Sequence, residues 1–311
     1  MAPLKERVSQ LAAKAEVTEG TAEALTAAEA ILSRLISFDP DIELTELDLV
    51  SSSMSQFPGV AGKRMATITF ETEFKGSGVA GTAPEVAALF GACSMEETIV
   101  GGTSVTYTPY DNSNDGASIT IAKYIDGKRY LMAGCRGNFV LNMVAGEPAM
   151  ITWTFTGVLE ADSDTALLAA VTYDSTRSQP FINASMTLDA YAAVVEAIVI
   201  DMANDVALRD SVNGATGYLS AIIGNRLPTM TINPEDVLIA THDFWDDWEN
   251  GTEVAFTATL GGTAGNICTI TAPKVQYGKV GQGSRNGYAV NEIDAFLRRD
   301  SGGDELSLAF T

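Results

Sequence analysis

The chain has 311 residues and carries 19 Lys and Arg against 40 Asp and Glu, which gives a formal net charge of −21. The acidic residues are spread over the whole length and no basic stripe occurs. The sequence therefore disfavours conventional binding to duplex nucleic acid, which needs clustered Lys and Arg. The hydrophobic content of 46% supports a packed core, and the length allows one large domain or two of about 150 residues each.

Several residue types are too scarce for common kinds of site. His242 is the single histidine, so His-rich metal centres are excluded. The three cysteines lie far apart without a CxxC motif, and we expect them to be buried, reduced thiols. No apolar run has the length of a signal peptide core or of a membrane-spanning helix, so we expect no membrane partner.

The chain begins with an arm and a strand–loop–strand pattern. Residues 1–35 are predicted to be an N-terminal arm without a domain of its own. Ile42–Val50 is predicted as a strand and Ser51–Lys63 as a long exposed loop, because Ser, Pro and Gly occur there without a period. In Ala66–Phe74 polar and apolar residues alternate, which is typical of a half-buried antiparallel strand.

A short helix and a series of strands complete the first half. Pro84 opens a helix that extends to Cys93, since Pro fits the first turn of a helix. Asp126-Gly127 is a strong signal for a tight hairpin. The predicted strands are Ser104–Tyr110, Ser118–Tyr124, Arg129–Cys135, Asn138–Val144 and Ala149–Gly157.

The second half follows a connector at residues 161–180 and repeats the same kinds of element. Its predicted helix is His242–Asn250, and its predicted strands are Ser185–Leu188, Val194–Met202, Thr229–Ile232, Glu253–Leu260, Ile267–Tyr277, Ala289–Leu297 and Glu305–Thr311. TITFETEF, a helix and AGEPAMITWTFTG in the first half correspond in order to TMTINPED, a helix and SGGDELSLAFT in the second. We interpret this order as an internal duplication.

Two glycine-containing motifs fit turns better than ligand sites. Gly76–Gly81 matches GxGxxG, but the strand before it alternates and the helix begins only at Pro84, so no helix terminus can meet a phosphate. Asp111–Gly116 resembles the start of a Ca²⁺ loop, but Ala122 stands where the bidentate carboxylate would be needed. We predict a flexible turn and a polar hairpin tip, and no cofactor.

The helix His242–Glu249 places Asp243, Asp246 and Asp247 on one face and three aromatic residues on another. A divalent-cation site is conceivable there, but an amphipathic helix with its aromatics on a sheet is the better interpretation. No Ser elbow, P-loop or HExxH motif occurs, and nothing selects one pair among the 40 acids. We therefore predict no catalytic residues, no metal and no enzyme activity.

Several stretches share an order of strands and turns with one known family. They are AAKAEVTEGTAEALTAAEAI, FDPDIELTELDLVSSSMSQFPGVAGKRMATITFETEFKGSG, TAPEVAALFGAC, SVTYTPY and ITIAKYIDGKRYLMAGCRGNFVLNMVAGEPAMITWTFTG. Together they resemble the major tail tube proteins of long-tailed, siphovirus-type bacteriophages. The likeness covers residues 10–160 and is looser beyond, where GNICTITAPKVQYGKV and GGDELSLAFT still fit.

The resemblance implies a mainly β tube-domain fold, a small β-sandwich or barrel with a short flanking helix and a long loop. Together with the internal duplication, it predicts two such domains in tandem, at residues 36–160 and 181–311. It also implies a structural virion protein that assembles in the host cytoplasm into stacked rings, with DNA passing through the lumen. Two domains in one chain predict three chains in a pseudo-sixfold ring, with a true hexamer as the alternative. The implied partners are other copies of the chain, the tape measure protein, and terminator and tip proteins.

Two groups of residues are candidates for these roles. The long loop and the N-terminal arm are expected to become ordered only against the neighbouring ring. The candidate residues of the loop are Ser52, Met54, Gln56, Phe57, Pro58 and Val60. Strands expected to face the lumen contain Thr67, Thr69, Glu71, Glu73, Thr152 and Thr154. The competing interpretations are a tail terminator or another structural virion protein, and a soluble β-sandwich adhesion or binding module.

Overall fold

Alternation of apolar and polar residues produces long antiparallel strands with one buried face. In the computed structural model, which describes residues 3–112 and 116–311, the chain is mainly β with two short α-helices. The elements of the first half are β1 Ser9–Ala15, β2 Ala30–Ile31, β3 Arg34–Thr45, β4 Val60–Glu73, α1 Ala87–Ala92, β5 Met95–Val100, β6 Ser104–Pro109, β7 Ile119–Ile125, β8 Lys128–Val144, β9 Met150–Leu159 and β10 Ser163–Asp164.

The second half continues with a similar series. Its elements are β11 Thr187–Leu188, β12 Val195–Asp201, β13 Asn204–Asp210, β14 Tyr218–Arg226, β15 Thr229–Pro234, α2 Phe244–Asn250, β16 Glu253–Leu260, β17 Cys268–Arg285, β18 Tyr288–Arg298 and β19 Ser307–Phe310. The mainly β fold expected from the sequence is confirmed, and so are the two short helices.

The same antiparallel pairing order occurs in both halves. The order β3–β4–β9–β8–β7–β1 in the first half matches β12–β15–β18–β17–β16–β11 in the second. Register shifts recur in corresponding strand pairs, in β3–β4 and β12–β15, in β7–β8 and β16–β17, and in β8–β9 and β17–β18. Since such bulges are built features of a strand pair, their recurrence indicates duplication of the whole unit.

One part of the predicted correspondence is wrong. The counterpart of β9 in the second half is β18. β9 lies between β4 and β8, and β18 lies between their counterparts β15 and β17. The final strand β19 instead pairs with β17 and with β6 of the first half. The alternating Thr and Phe pattern shared by β9 and β19 reports a buried face but not a pairing partner.

Among the residues that the structure describes, two strand pairings join the halves. The last five residues of β8 pair with β12, from Val140 with Asp201 to Val144 with Ala197. At the opposite side, Phe310 of β19 packs between aromatic rings of the first half, 5.3 Å from Phe74 and 5.9 Å from Tyr107 between ring centroids. Buried side chains of both halves therefore belong to one connected hydrophobic core.

Part of the N-terminal arm is already ordered within its own chain. Ser9–Ala15 pairs residue by residue with β7, and Leu11, Ala12 and Ala13 are buried. The expectation that the arm becomes ordered only against another ring is thus wrong for this segment, because its apolar residues already cover the chain's own core. The proposed domain limits at 36–160, 161–180 and 181–311 remain predictions, and the short β10 within the connector pairs with β8.

The predicted boundaries around the long loop also shift. The strand expected at Ile42–Val50 begins at Arg34 and ends at Thr45, and residues 46–59 contain neither helix nor strand. Val60–Lys63, expected in the loop, belongs to β4, where Val60 pairs with Thr45. Pairing with β3 extends the strand into a sequence whose glycines and polar residues indicate a loop.

The two strands expected at Arg129–Cys135 and Asn138–Val144 are one continuous strand, β8. Gly137 within β8 allows the close approach of β9, because a Cβ atom there would lie 2.4 Å from the Thr154 carbonyl oxygen. Asp126 and Gly127 form the expected tight turn before it, both with positive φ angles of 40° and 102°, as such hairpins require. Strands β5, β13 and β14 were not predicted, since their sequences lack clean alternation.

Candidate functional site

One face of the sheet that runs from β3 through β8 and β12 to β17 is mainly polar, with Val140, Val199 and Phe296 as apolar members. On β4 and β9, Thr67 lies opposite Thr156, Thr69 opposite Thr154, and Glu71 opposite Thr152. The hydroxyl oxygens of the first two pairs are 3.5 and 3.4 Å apart. Further members of this face are Asn138, Asn142, Asp201, Thr229, Thr231 and Asp294.

The other face of the same strands is the hydrophobic core. Ile68, Phe70, Trp153 and Phe155 are completely buried, and the Trp153 indole donates a 2.8 Å hydrogen bond to the Thr72 hydroxyl. This division follows from the two-residue period of a strand. The structure thus brings the predicted residues Thr67, Thr69, Glu71, Thr152 and Thr154 together on one face.

Glu73, the sixth predicted strand residue, ends the row beside a buried cation. Lys75 is 8% exposed, and its Nζ lies 3.7 Å from the Glu73 carboxylate and 3.5 Å from that of Asp174. The same Nζ donates a 2.7 Å hydrogen bond to the Thr176 carbonyl. These contacts link the segment between β4 and α1 to residues near the end of the connector at 161–180. Glu73 therefore has an ion-pair partner within the chain.

The polar sheet ends at two unpaired strand edges. Within the part of the chain that the structure describes, β3 pairs only with β4. In the same described part, residues 277–285 of β17 pair only with β18. An open edge presents free backbone N–H and C=O groups, which favour pairing with another strand.

Residues 46–59 project from the hairpin between β3 and β4. All of the predicted loop residues are exposed or half-buried, including Met54 at 102% and Phe57 at 45% of full exposure. Ser51 and Ser53 exchange hydrogen bonds that form a local turn. Leu49 and Val50 in the same segment are exposed as well, and a group of exposed large apolar side chains is typical of a surface that contacts another molecule.

An ionic cluster that the sequence did not predict holds the β13–β14 hairpin on the first half. Glu19 accepts hydrogen bonds from Ser220 and from Arg136, and Arg136 also donates to the Ala221 carbonyl. The Ser220 hydrogen bond is the main cause that lowers the pKa of Glu19, against the opposing effect of partial burial. Nearer the tip of the hairpin, Lys63 Nζ lies 2.8 Å from the Asp210 carboxylate.

The motifs considered for ligand binding have structural partners instead. Gly76 donates its N–H to the Asn266 side chain and Gly78 to the Gly265 carbonyl, so this segment packs against the second half. In α2, Asp243 caps the helix by accepting from the Trp245 and Asp246 N–H groups. The Ca²⁺-like motif lies partly outside the described residues. Across residues 3–112 and 116–311, no group of three potential metal ligands occurs.

The single histidine and the cysteines are packed into the fold. His242 stacks on Tyr191 with ring centroids 4.8 Å apart. All three cysteines are free and buried, as expected. Burial raises the pKa of the Cys93 and Cys135 thiols well above their ordinary value and that of Cys268 to about 12.

A comparison with protein families identifies the chain. A search of curated proteins finds no match. In the described part of the chain, no helix is both long and apolar enough to cross a membrane. The family model described as phage tail tube protein matches residues 6–306, nearly the whole sequence. The chain belongs to the phage tail tube protein family, and its fold of antiparallel sheets is compatible with a structural component of a phage tail.

Proposed function

We propose that this chain assembles with copies of itself into stacked rings that form the tail tube of a siphovirus-type phage. The observation that supports this proposal is the sheet that passes from one half to the other through the β8–β12 pairing and ends at an open edge on each side. A repeated unit that already pairs edge to edge inside one chain can repeat the same contact between chains. A closed ring then leaves no free edge.

We propose that three copies close one ring. Each chain supplies two similar β units, which correspond to the proposed domains at 36–160 and 181–311, so three chains supply six units. A ring of six chains is the alternative outcome of the same pairing. The tape measure, terminator and tip proteins are the proposed further partners, with assembly in the host cytoplasm.

The polar face is the proposed wall of the lumen. It carries threonines together with the carboxylates of Asp201 and Asp294 on a chain with a net charge of −21, while the carboxylate of Glu71 is paired with Arg34 at 2.6 Å. Such a wall repels the phosphates of DNA, so DNA passes during ejection without adhering. The apolar face of the same strands remains in the core.

Electron microscopy of the purified protein tests this proposal. We expect hollow tubes of uniform diameter, and rings whose rotational averages show six lobes while mass measurement gives three chains. A tail terminator would stop at single rings, and an adhesion module would remain monomeric. Only monomers at every concentration, also after addition of the tip proteins that initiate assembly, would contradict the proposal.

A further inference from the structure

The internal repeat defines where the partner of each exposed element should lie. β12 and the following β13–β14 hairpin of the second half lie on β8 of the first half. The equivalents of β12 and β8 by pairing order are β3 and β17. These equivalents are the two open edges of the chain.

The contact inside the chain is specific and polar. Asn138 of β8 donates a 2.7 Å hydrogen bond to the Asp201 carboxylate of β12. Asn204, at the start of the hairpin, donates its N–H to the Asn138 side chain and its amide group to the Gly137 carbonyl. The Arg64 N–H binds the Thr216 carbonyl near the hairpin tip. These contacts hold the β13–β14 hairpin of the second half against the first half.

The first half has a hairpin of equal length in the equivalent place. Asp39 pairs with Thr67 as Asp201 pairs with Thr229, and equal lengths of chain separate the two members of each pair. Residues 40–66 nevertheless project into solvent over most of their length. The apolar residues at the base differ in the same way: Ile198 and Ile200 are fully buried, whereas their counterparts on β3 are only partly buried, namely Ile36 and Phe38. The difference arises because β8 of the first half packs on β12, whereas no strand of the described chain packs on the equivalent edge of β3.

Charges on the two open edges are complementary. Five of the ten residues from 39 to 48 are acidic, and none is basic. β17 carries three basic residues and no acidic one. Among these, Lys279 is exposed and has no carboxylate within 4.0 Å among the described residues. Asp39 and Asp201 are equivalent because they pair with Thr67 and Thr229. Followed from there through β4–β9 and β15–β18, the pairing register makes Lys279 the equivalent of Asn138.

We infer that β3 and the 40–66 hairpin of one copy dock on β17 and β18 of a second copy in the same ring, as β12 and the β13–β14 hairpin dock on β8 and β9. The register carried over from the β8–β12 pairing places Ser37 opposite Gly283, and it places the Asp39 carboxylate against the Lys279 ammonium group. This inference rests on the proposed self-assembly and names its contact surface. It gives the exposed segment 46–59 a partner within the ring, in place of the neighbouring ring expected from the sequence.

Disulfide cross-linking of assembled protein tests the register. We expect Ser37→Cys with Gly283→Cys to form cross-linked dimers and trimers on oxidation, because residues directly opposite in an antiparallel pair have Cβ atoms about 4.5–5.5 Å apart. The matched control, Ser37→Cys with Gln282→Cys, places the second thiol on the other face of the strand and should cross-link at least about tenfold less. Tubes or rings in the microscope without a cross-link, or equal cross-linking in the control, would overturn the inference but not the proposed function. Failure of the wild-type chain to assemble would overturn both.

A charge exchange tests the ion pair. We expect Asp39→Lys and Lys279→Asp each to raise the protein concentration needed for ring formation by about tenfold, and the double variant to restore most of the loss. Asp39 is exposed and lies opposite Thr67, so Asp39→Lys should leave the melting temperature of the unassembled protein unchanged. Lys279→Asp places a second carboxylate opposite Asp294 and should lower that temperature slightly. Unchanged assembly in both single variants, or no recovery in the double variant, would contradict the proposed contact.

Replacement of residues 51–58 by a Gly-Ser linker of equal length separates the two partners suggested for this segment. Docking within the ring predicts that ring formation itself weakens. Closed rings that form at the wild-type concentration but do not stack would assign the segment to the neighbouring ring and overturn this part of the inference.

Discussion

Replacement of Phe310 by alanine should destabilise both halves of the chain together. Phe310 is 3% exposed, and its backbone lies between Cys268 of β17 and Val105 of β6. Its ring lies 5.3 Å from Phe74, 5.9 Å from Tyr107 and 6.4 Å from Phe90 between centroids. The side chain therefore belongs to the second half in sequence and to the core of the first half in space.

The expected loss in free energy of unfolding is about 4 kcal/mol. Truncation of a buried Phe to Ala costs about 3–5 kcal/mol because transfer energy is lost and a cavity remains. Each lost aromatic contact adds about 0.5–1.5 kcal/mol beyond area burial, part of which that range already includes. Since small domains have only about 5–15 kcal/mol of stability in total, this loss is large enough to measure without ambiguity.

Urea unfolding of the unassembled protein, followed by Trp fluorescence and by circular dichroism, measures this effect. We expect a single transition by both probes that moves to lower urea concentration. Phe57→Ala in the exposed segment is the matched control and should change stability by less than about 0.5 kcal/mol. A loss below about 1 kcal/mol for Phe310→Ala, or a separate early transition of the second half alone, would refute the single connected core.

Three further predictions concern charge and burial. Partial burial raises the pKa of Asp304, but hydrogen bonds from Ser301 and its neighbours outweigh this effect and lower that pKa from 3.8 to about 2. The carboxylate therefore stabilises the fold above pH 3.8 and loses this effect as the pH falls to 2, so Asp304→Asn should lower the melting temperature at pH 7 but not at pH 2. Thr154→Lys in phage particles should slow DNA ejection measured after receptor triggering, whereas Thr154→Glu should not; equal rates would count against a repelling lumen wall. Burial raises the pKa of Cys268 to about 12, and Cys93 and Cys135 are buried as well. The native protein at pH 8 should therefore not react with a thiol reagent that labels all three cysteines in urea. Rapid labelling of the folded chain would contradict this packing.

Local sequence patterns determined the secondary structure of much of the chain. The clean alternation of Ala66–Phe74 predicts a strand whose polar face includes Thr67 and Thr69, and the structure has this strand and face within β4. Asp126-Gly127 predicts the turn between β7 and β8. Such signals succeed because side-chain alternation and turn preferences depend on residues next to each other in the chain.

Only the tertiary structure decided which strands are partners. Backbone hydrogen bonds between strands carry no side-chain signature, so β9 and β19 show the same alternation although one pairs with β4 and the other with β6. The β13–β14 hairpin forms against Arg136 and Glu19, residues distant in sequence, and therefore lacks a local signal. The amino-acid sequence alone determines the net charge of −21. The gathering of Glu71, Asp201 and Asp294 on one polar face was not, because it depends on the β8–β12 pairing that joins the two halves.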